Sequence, residues 1–170
     1  MILYYIGRQA EFKEKVKEIF ASMDQSIRFV EDDELNQDIE ELLKTENGHE
    51  CEGERDAFLF LDDLSQEDIQ KMNQMFEEKK IDIPRKACRT EHNIKWRMLD
   101  LMEEVNREYA YFQLRDELYD LVTHPDEKRL EKDSDYMTTM SMAYSLLQNE
   151  NTEAELLELA IQTIKNMSDL

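Results

Sequence analysis

The sequence predicts an α/β fold: a small, mainly parallel four-stranded sheet with covering helices, followed by a long helix and an α-helical tail. Four short apolar runs alternate with segments whose apolar residues recur every three or four positions. The runs are continuously apolar, as is typical of strands buried on both faces of a parallel sheet. Only three glycines and two prolines occur, which favours long regular elements. We therefore expect a doubly wound layer sandwich, with a ferredoxin-like α+β arrangement as the alternative.

The chain begins with a predicted strand at residues 2–6, where the run ILYYI precedes Gly7. A helix is expected over about residues 9–23, because apolar residues recur there on one helical face. A second, weaker strand is predicted at residues 27–30. This order is typical of a β-α-β unit, in which a right-handed crossover makes the two strands parallel.

An acidic helix is predicted after the second strand, with either Asp32 or Asp33 as its N-terminal cap. Residues 45–56 are polar, contain two glycines and are expected to form an exposed loop. The most strongly apolar strand, AFLFL, is predicted at residues 57–61. The polar loop therefore separates the second strand and its helix from the third strand.

The next elements are a helix, a short strand and a very long helix. Ser65 and Asp68 resemble a capping box that opens the helix after the third strand. A fourth strand is predicted at residues 85–89, and Thr90 is predicted to cap the helix that follows it. Neither proline nor glycine interrupts residues 91–123, so this helix would be about 50 Å long.

The last third of the chain is predicted to be entirely helical. Two amphipathic helices follow the long one, and the three can pack as an antiparallel bundle. We therefore expect an α/β domain at residues 1–107 and a helical extension at residues 108–170. No convincing internal repeat is apparent in the sequence.

The charge of the chain argues against several classes of partner. The protein has 41 acidic and 21 basic residues, a formal net charge of −20, so neither nucleic acid nor an anionic membrane surface is expected to bind it. No apolar run approaches the roughly 18 residues that span a bilayer, and the N-terminal segment lacks the basic region of a secretory signal. Two cysteines, Cys51 and Cys88, are too few for a disulfide scaffold, so a cytoplasmic location is expected.

The charges are also unevenly distributed. Residues 31–56 contain twelve acidic residues and only two basic ones. In contrast, residues 84–97 contain five basic residues and one acidic one. The second segment is therefore the part of the chain where an anion could bind.

This basic segment also carries a sequence pattern. Its matching residues, in order, are Pro84, Lys86 with Ala87, Thr90, Asn93 and Trp96. Together with the preceding strand and helix, the pattern resembles the signature of a family of small bacterial domains of unknown function. The resemblance covers residues 57–107, and the chain departs from the pattern at Cys88 and Arg89. It implies a bacterial protein and no particular activity.

The basic segment is the strongest candidate ligand site. If Thr90 caps a helix, the N–H groups of the first turn point outward beside cationic side chains. Such a site could bind a phosphate or a carboxylate through charge-assisted hydrogen bonds. The candidate residues are Lys86, Arg89, Thr90, Asn93, Lys95 and Trp96. In the alternative interpretation, the basic side chains pair with the acidic surface and Trp96 packs in the core.

Carboxylates that follow two of the strands could hold a magnesium ion. Asp32 follows the second strand, and Asp62 and Asp63 follow the third. If those strands are parallel, the three carboxylates lie at one edge of the sheet. The alternative, in which they cap helices or occupy first turns, is favoured. We therefore predict no metal and no other cofactor.

A zinc site is a weaker hypothesis. Its ligands would be His49, Cys51, Cys88 and His92. Their spacing matches no standard zinc finger, and parallel third and fourth strands would place the two cysteines at opposite edges of the sheet. No GxSxG, glycine-rich phosphate loop or HExxH motif occurs in the chain.

These observations favour a non-enzymatic binding or regulatory module that acts through its helices. Met137 and Met142 could contribute to an adaptable binding surface, whereas Met140 is expected in the bundle core. The partner would be another protein or a second copy of the chain. The alternative function is a binder of, or an enzyme for, a small anionic ligand at residues 85–96.

Overall fold

The computed structural model describes residues 1–45 and 48–168, so the loop prediction for residues 46 and 47 lies outside the described residues. The strands are β1 (Ile2–Tyr5), β2 (Ile27–Phe29), β3 (Phe58–Leu61) and β4 (Lys86–Cys88). The α-helices are α1 (Lys13–Ser22), α2 (Ile39–Leu43), α3 (Gln66–Glu78), α4 (Met98–Thr123), α5 (Glu127–Leu130), α6 (Ser134–Gln148) and α7 (Ala154–Ser168). The chain divides into two compact units, one formed by residues 1–106 and one that begins at residue 107. In the described part of the chain, no helix combines the length and apolar character needed to cross a membrane.

The sheet of the first unit has the strand order β2-β1-β3-β4. β1 is parallel to β2, and β3 is parallel to β4, whereas the central pair of β1 and β3 is antiparallel. The predicted α/β class and its four-stranded, mostly parallel sheet are confirmed. The antiparallel central pair distinguishes this sheet from a doubly wound sandwich. The direct pairing of β1 with β2 and of β3 with β4 distinguishes it from a ferredoxin-like fold, in which another strand lies between the two strands of each β-α-β unit.

The sheet is buried on both faces, because successive residues of β1 alternate between two core clusters. Ile2 and Tyr4 belong to one cluster, and Leu3 and Tyr5 belong to the other. The first cluster is completed mainly by α1 and α3, through Val16, Ile19, Phe20, Met72 and Phe76. The second is completed mainly by α2 and α4, through Ile39, Leu42, Met98, Leu101 and Met102. The α/β unit therefore has three layers.

This unit contains two copies of one supersecondary structure. The first copy is β1-α1-β2 and the second is β3-α3-β4. Four described residues have a left-handed backbone, and they form two pairs whose members are 56 positions apart. Gly7 and Asp63 follow the first strand of each copy, while Asp24 and Lys80 follow its helix. The chain therefore makes the same turns twice.

The two copies also continue alike after their second strand. The Glu31 N–H donates to the Glu34 carboxylate over 3.0 Å. At positions 59 residues later, the Thr90 N–H donates to Asn93 Oδ1 over 2.8 Å. In both pairs the first side chain accepts the N–H of the second residue in return. The same turn is thus closed by two carboxylates in one copy and by a hydroxyl and an amide in the other.

Reciprocal backbone contacts then join the copies. The Ile39 N–H donates to the Trp96 carbonyl, and the Met98 N–H donates to the Gln37 carbonyl, both over 3.0 Å. Such a reciprocal arrangement is what a twofold axis produces. The α/β unit therefore contains a structural repeat that is not apparent in the sequence. The repeat is difficult to detect in the sequence because residues at equivalent positions make the same contacts with different side chains.

The second unit is a separate helical cluster. Its buried residues come from α4, α6 and α7: Leu118, Tyr136, Met140, Ala143, Leu157, Ile161 and Ile164. Met140 thus lies in the bundle core, as expected from its helical spacing. The cluster has its own apolar interior, independent of the two clusters of the α/β unit.

Candidate functional site

The junction between β4 and α4 holds the residues that we predicted to bind an anion. The helix predicted to start at residue 91 in fact begins at Met98, so that prediction is wrong. A 3-10 turn at Asn93–Lys95 comes first, and Trp96 then adopts an extended backbone conformation. A turn this short cannot provide the dipole and the free N–H groups of a long helix.

Hydrogen bonds within this turn occupy the groups expected to face a ligand. The Thr90 N–H donates to Asn93 Oδ1, and the Asn93 N–H donates to Thr90 Oγ1 over 3.0 Å. Asn93 Nδ2 donates to the Cys88 carbonyl over 2.8 Å. Since all the polar groups of the buried Asn93 side chain are engaged, this residue fixes the turn.

The three cations of the junction have different surroundings. Lys86 Nζ lies 5.1 Å from the centroid of the Phe76 ring, and burial lowers the pKa of this lysine. Arg89 donates to Asp62 over 2.8 Å, and this hydrogen bond raises the pKa of Arg89. Lys95 is exposed. The first two side chains therefore already have partners within the chain.

Trp96 is 40% exposed, so it does not pack in the core as the alternative interpretation expected. The pairing of Arg89 with Asp62 is the charge compensation that this interpretation describes. Anion binding at this junction stays a prediction to which the contacts of the turn add no support.

The three aspartates considered for magnesium do not meet. Their proposed cluster required parallel second and third strands, but β2 and β3 are antiparallel because β1 is parallel to β2 and antiparallel to β3. Asp32 therefore lies at one edge of the sheet, and Asp62 and Asp63 lie at the opposite edge. Residues 1–45 and 48–168 contain no group of three or more histidine, cysteine or acidic side chains placed to hold a metal ion.

The proposed zinc ligands are also separated. Cys51 lies beside Glu31, with its Sγ 3.7 Å from a carboxylate oxygen, at the edge where β2 ends. Cys88 ends β4 and lies at the opposite edge. Both cysteines are free and exposed.

The second unit presents an apolar groove between α6 and α7. Its volume is about 450 Å³. The lining residues are Thr139, Met142, Ala143, Ser145, Leu146, Leu156, Leu159, Ala160 and Thr163. The lining combines the small side chains of Ala143 and Ala160 with larger apolar side chains from both helices, which we call the walls of the groove.

The walls of the groove are unusually exposed for apolar residues. Met142 is 66% exposed, Leu159 is 60% exposed and Leu156 is 44% exposed. All three of these exposed side chains line the groove. The sequence analysis did not identify Leu159 as part of a site. Its position outside the helical face formed by Leu157 and Ile161 can be read from the sequence and indicates an exposed apolar residue.

Acidic residues border this groove. Asp135 lies four residues before Thr139, and Glu155 lies four residues before Leu159, so each occupies the same helical face as a lining residue. Both are exposed. Residues 134–168 as a whole contain five acidic residues and one basic residue. The groove is thus apolar inside and negatively charged at its rim.

Comparison with known proteins finds one family. Residues 57–112 match the model of a family described as a domain of unknown function, DUF3783. This match agrees with the predicted resemblance to a family of unknown function, and it attributes no activity to the chain. No curated protein and no solved structure matches the chain.

The matched segment corresponds to one of the two structural copies. It begins at β3, includes α3 and β4, and ends within α4. The first copy, β1-α1-β2, lies outside the match although it has the same turns and strand order. The segment that matches the family model therefore packs against the first copy, which has a similar structure.

Proposed function

We propose that this protein is a non-enzymatic binding module whose α6–α7 groove accepts an amphipathic helix of a partner protein. The exposed apolar wall formed by Met142, Leu156 and Leu159 is the observation that carries this proposal. Apolar surface gathered in a groove and bordered by charge is typical of protein interaction sites. The methionine adds a flexible, polarisable side chain that adapts to different partner surfaces.

The charge at the rim selects the kind of helix. Asp135 and Glu155 favour lysine or arginine on the partner, on either side of its apolar stripe. A second copy of this chain fits less well, because two acidic rims would repel each other across the interface. The proposed partner is therefore a different protein with a basic amphipathic helix.

Fluorescence anisotropy with two labelled helical peptides tests this proposal. Both peptides carry leucines at helical spacing, and their polar positions are all lysine in one and all glutamate in the other. We expect the full-length protein to bind the lysine peptide and not the glutamate peptide. Equal affinity for both peptides, or for neither, would contradict the proposal.

Paired variants separate groove binding from general charge attraction. Leu159→Glu places a charge in the groove, whereas Tyr144→Glu adds the same charge to an exposed position of α6 outside it. We expect the first variant to weaken binding of the lysine peptide by about tenfold or more, since a buried unpaired charge is costly. The second variant should bind at least as well as the native protein. If both variants behave alike, the groove is not the binding site.

A further inference from the structure

A second cavity, distinct from the groove, lies in the α/β unit at the edge where β1 and β2 end. Its volume is about 430 Å³. This is the size range of small-molecule sites, and the carboxyl ends of parallel strands are where open α/β sheets bind ligands. The lining residues are Arg8, Asp32, Leu35, Asn36, Glu54, Arg55 and Leu99.

Two of the lining residues, Arg8 and Arg55, come together beside Gly7, whose backbone has φ +59°. A Cβ atom there would lie 2.3 Å from the Arg55 carbonyl oxygen, so only glycine permits this close approach. The Arg8 N–H donates to the same carbonyl over 2.9 Å. The Arg8 side chain donates in turn to the Glu54 carbonyl. These contacts hold Arg8 and Arg55 next to each other on one wall.

The guanidinium groups of Arg8 and Arg55 differ from those of several other arginines in their ion pairing. Several arginines elsewhere form ion pairs with carboxylates: Arg28, Arg85, Arg89, Arg97 and Arg129. Within the described residues, neither Arg8 nor Arg55 has a carboxylate within ion-pair distance, although Asp32 and Glu54 line the same cavity. Their unused donors are therefore available to a carboxylate that comes from outside the chain.

The negative charge of Asp32, opposite in sign to that of the two arginines, is held in position by a hydrogen bond. Tyr5 Oη donates to Asp32 over 2.6 Å and accepts the Arg55 N–H over 3.3 Å. Burial and the hydrogen bond to Asp32 raise the pKa of Tyr5 to about 12, so the phenol keeps its proton and remains a donor at neutral pH. The Asp32 carboxylate is thus oriented by a buried residue, as a preorganised site requires.

We propose that this cavity binds a small zwitterion of the apolar α-amino acid class. The ligand carboxylate pairs with Arg8 and Arg55, and its ammonium group pairs with Asp32 and Glu54. Its apolar side chain packs against Leu35 and Leu99. A phosphate would satisfy only the arginines and would be repelled by the two carboxylates that line the same cavity.

Isothermal titration calorimetry of the full-length protein tests this inference. The probes are leucine, isocaproate (which lacks the ammonium group), isoamylamine (which lacks the carboxylate) and inorganic phosphate. We expect saturable binding of leucine. The other three probes should bind at least about tenfold more weakly than leucine, because each leaves charged groups of the cavity without a partner. Absence of leucine binding, or tighter binding of phosphate, would overturn the inference.

Two matched variants locate the binding site. Arg55→Gln should weaken leucine binding by about tenfold, since charged hydrogen bonds are lost. Arg97→Gln removes the same charge from another exposed arginine, and leucine binding should be unchanged. Both side chains are on the surface, so thermal unfolding should show that each variant is folded. Equal effects of the two variants, or no effect of Arg55→Gln, would show that leucine does not bind in this cavity.

Discussion

Phe20 and Phe76 occupy the same position in the two copies of the repeat, and their rings pack edge to face with centroids 6.2 Å apart. The backbone carbonyl of each phenylalanine accepts a hydrogen bond from the N–H of the residue five positions later, which is Gln25 in one copy and Ile81 in the other. The helices of the two copies therefore meet through equivalent side chains. This contact joins the two copies on the face of the sheet that carries α1 and α3.

Replacing either ring should destabilise the α/β unit strongly. We expect Phe76→Ala to lower the free energy of unfolding by about 3–5 kcal/mol, because it leaves a cavity in a well-packed core. Urea titration followed by Trp96 fluorescence measures this, since the single tryptophan lies in that unit. Phe112→Ala, at a position that is 59% exposed, is the control and should change stability little. Similar losses in both variants would contradict the central role of the Phe20–Phe76 contact.

The stability of the α/β unit should depend on Glu34 and on pH. Arg28 is buried and donates to Glu34 over 2.6 Å. Burial alone would raise the pKa of Glu34, but hydrogen bonds from Arg28 and the Glu31 N–H outweigh it, so the pKa lies below its usual value of 4.5. The stabilisation from Glu34 is therefore fully present above about pH 4.5 and is lost as the pH falls through the lower folded-state pKa.

The corresponding variant is Glu34→Gln. We expect a loss of about 3 kcal/mol at neutral pH, because Arg28 is left buried without a counter-charge. The difference from the native protein should shrink as the pH falls below 4.5, the ordinary pKa of glutamate. Glu41→Gln, which removes an exposed carboxylate, is the control. A pH-independent difference between Glu34→Gln and native protein would refute the assignment.

Substitutions at two positions with a left-handed backbone, Gly7 and Lys80, should change stability in opposite directions. Gly7→Ala should destabilise the protein by about 2 kcal/mol or more, because both the left-handed backbone and the Arg55 carbonyl disfavour a Cβ atom. Lys80→Gly should instead stabilise it by about 0.5–1 kcal/mol, since lysine there also has a positive φ of 53°. Thermal unfolding of both variants measures the difference. Stabilisation by Gly7→Ala would be incompatible with the close approach in the structure.

The role of Asn93 can be tested without any ligand. Asn93→Ala removes the side-chain hydrogen bonds to the Thr90 N–H and the Cys88 carbonyl. We expect a loss of about 1–3 kcal/mol in the free energy of unfolding. Asn73→Ala, at an exposed position of α3, should change stability little. Unchanged stability of Asn93→Ala would mean that the residue does not fix the turn.

Much of the secondary structure could be predicted from local patterns. The apolar run before Gly7 and the run at residues 58–61 are strands, and the apolar spacing after Ser65 indicates a helix that the structure contains. The start of α4 could not be placed in this way. Thr90 has the chemistry of a helix cap, but Asn93 closes the turn around it and delays the helix to Met98.

Sites made from distant residues could be predicted only in part. Met142 was singled out because its helix is rich in methionine, whereas the role of Leu159 depends on how α6 and α7 pack. Arg8 and Arg55 are 47 positions apart, and no local pattern links them. They meet because Gly7 lets two backbone segments approach closely.

The sequence by itself determined the class of fold, since the period of apolar residues separates strands from helices and since short buried strands must be covered by helices. The excess of acidic residues also follows from composition alone, and with it the prediction that neither nucleic acid nor an anionic membrane surface binds the protein. Only the tertiary structure decided the direction of β3 relative to β1, and with it the separation of Asp32 from Asp62. The physical reason is that a buried apolar strand presents the same side chains whichever way it runs, so packing and connection geometry choose its direction.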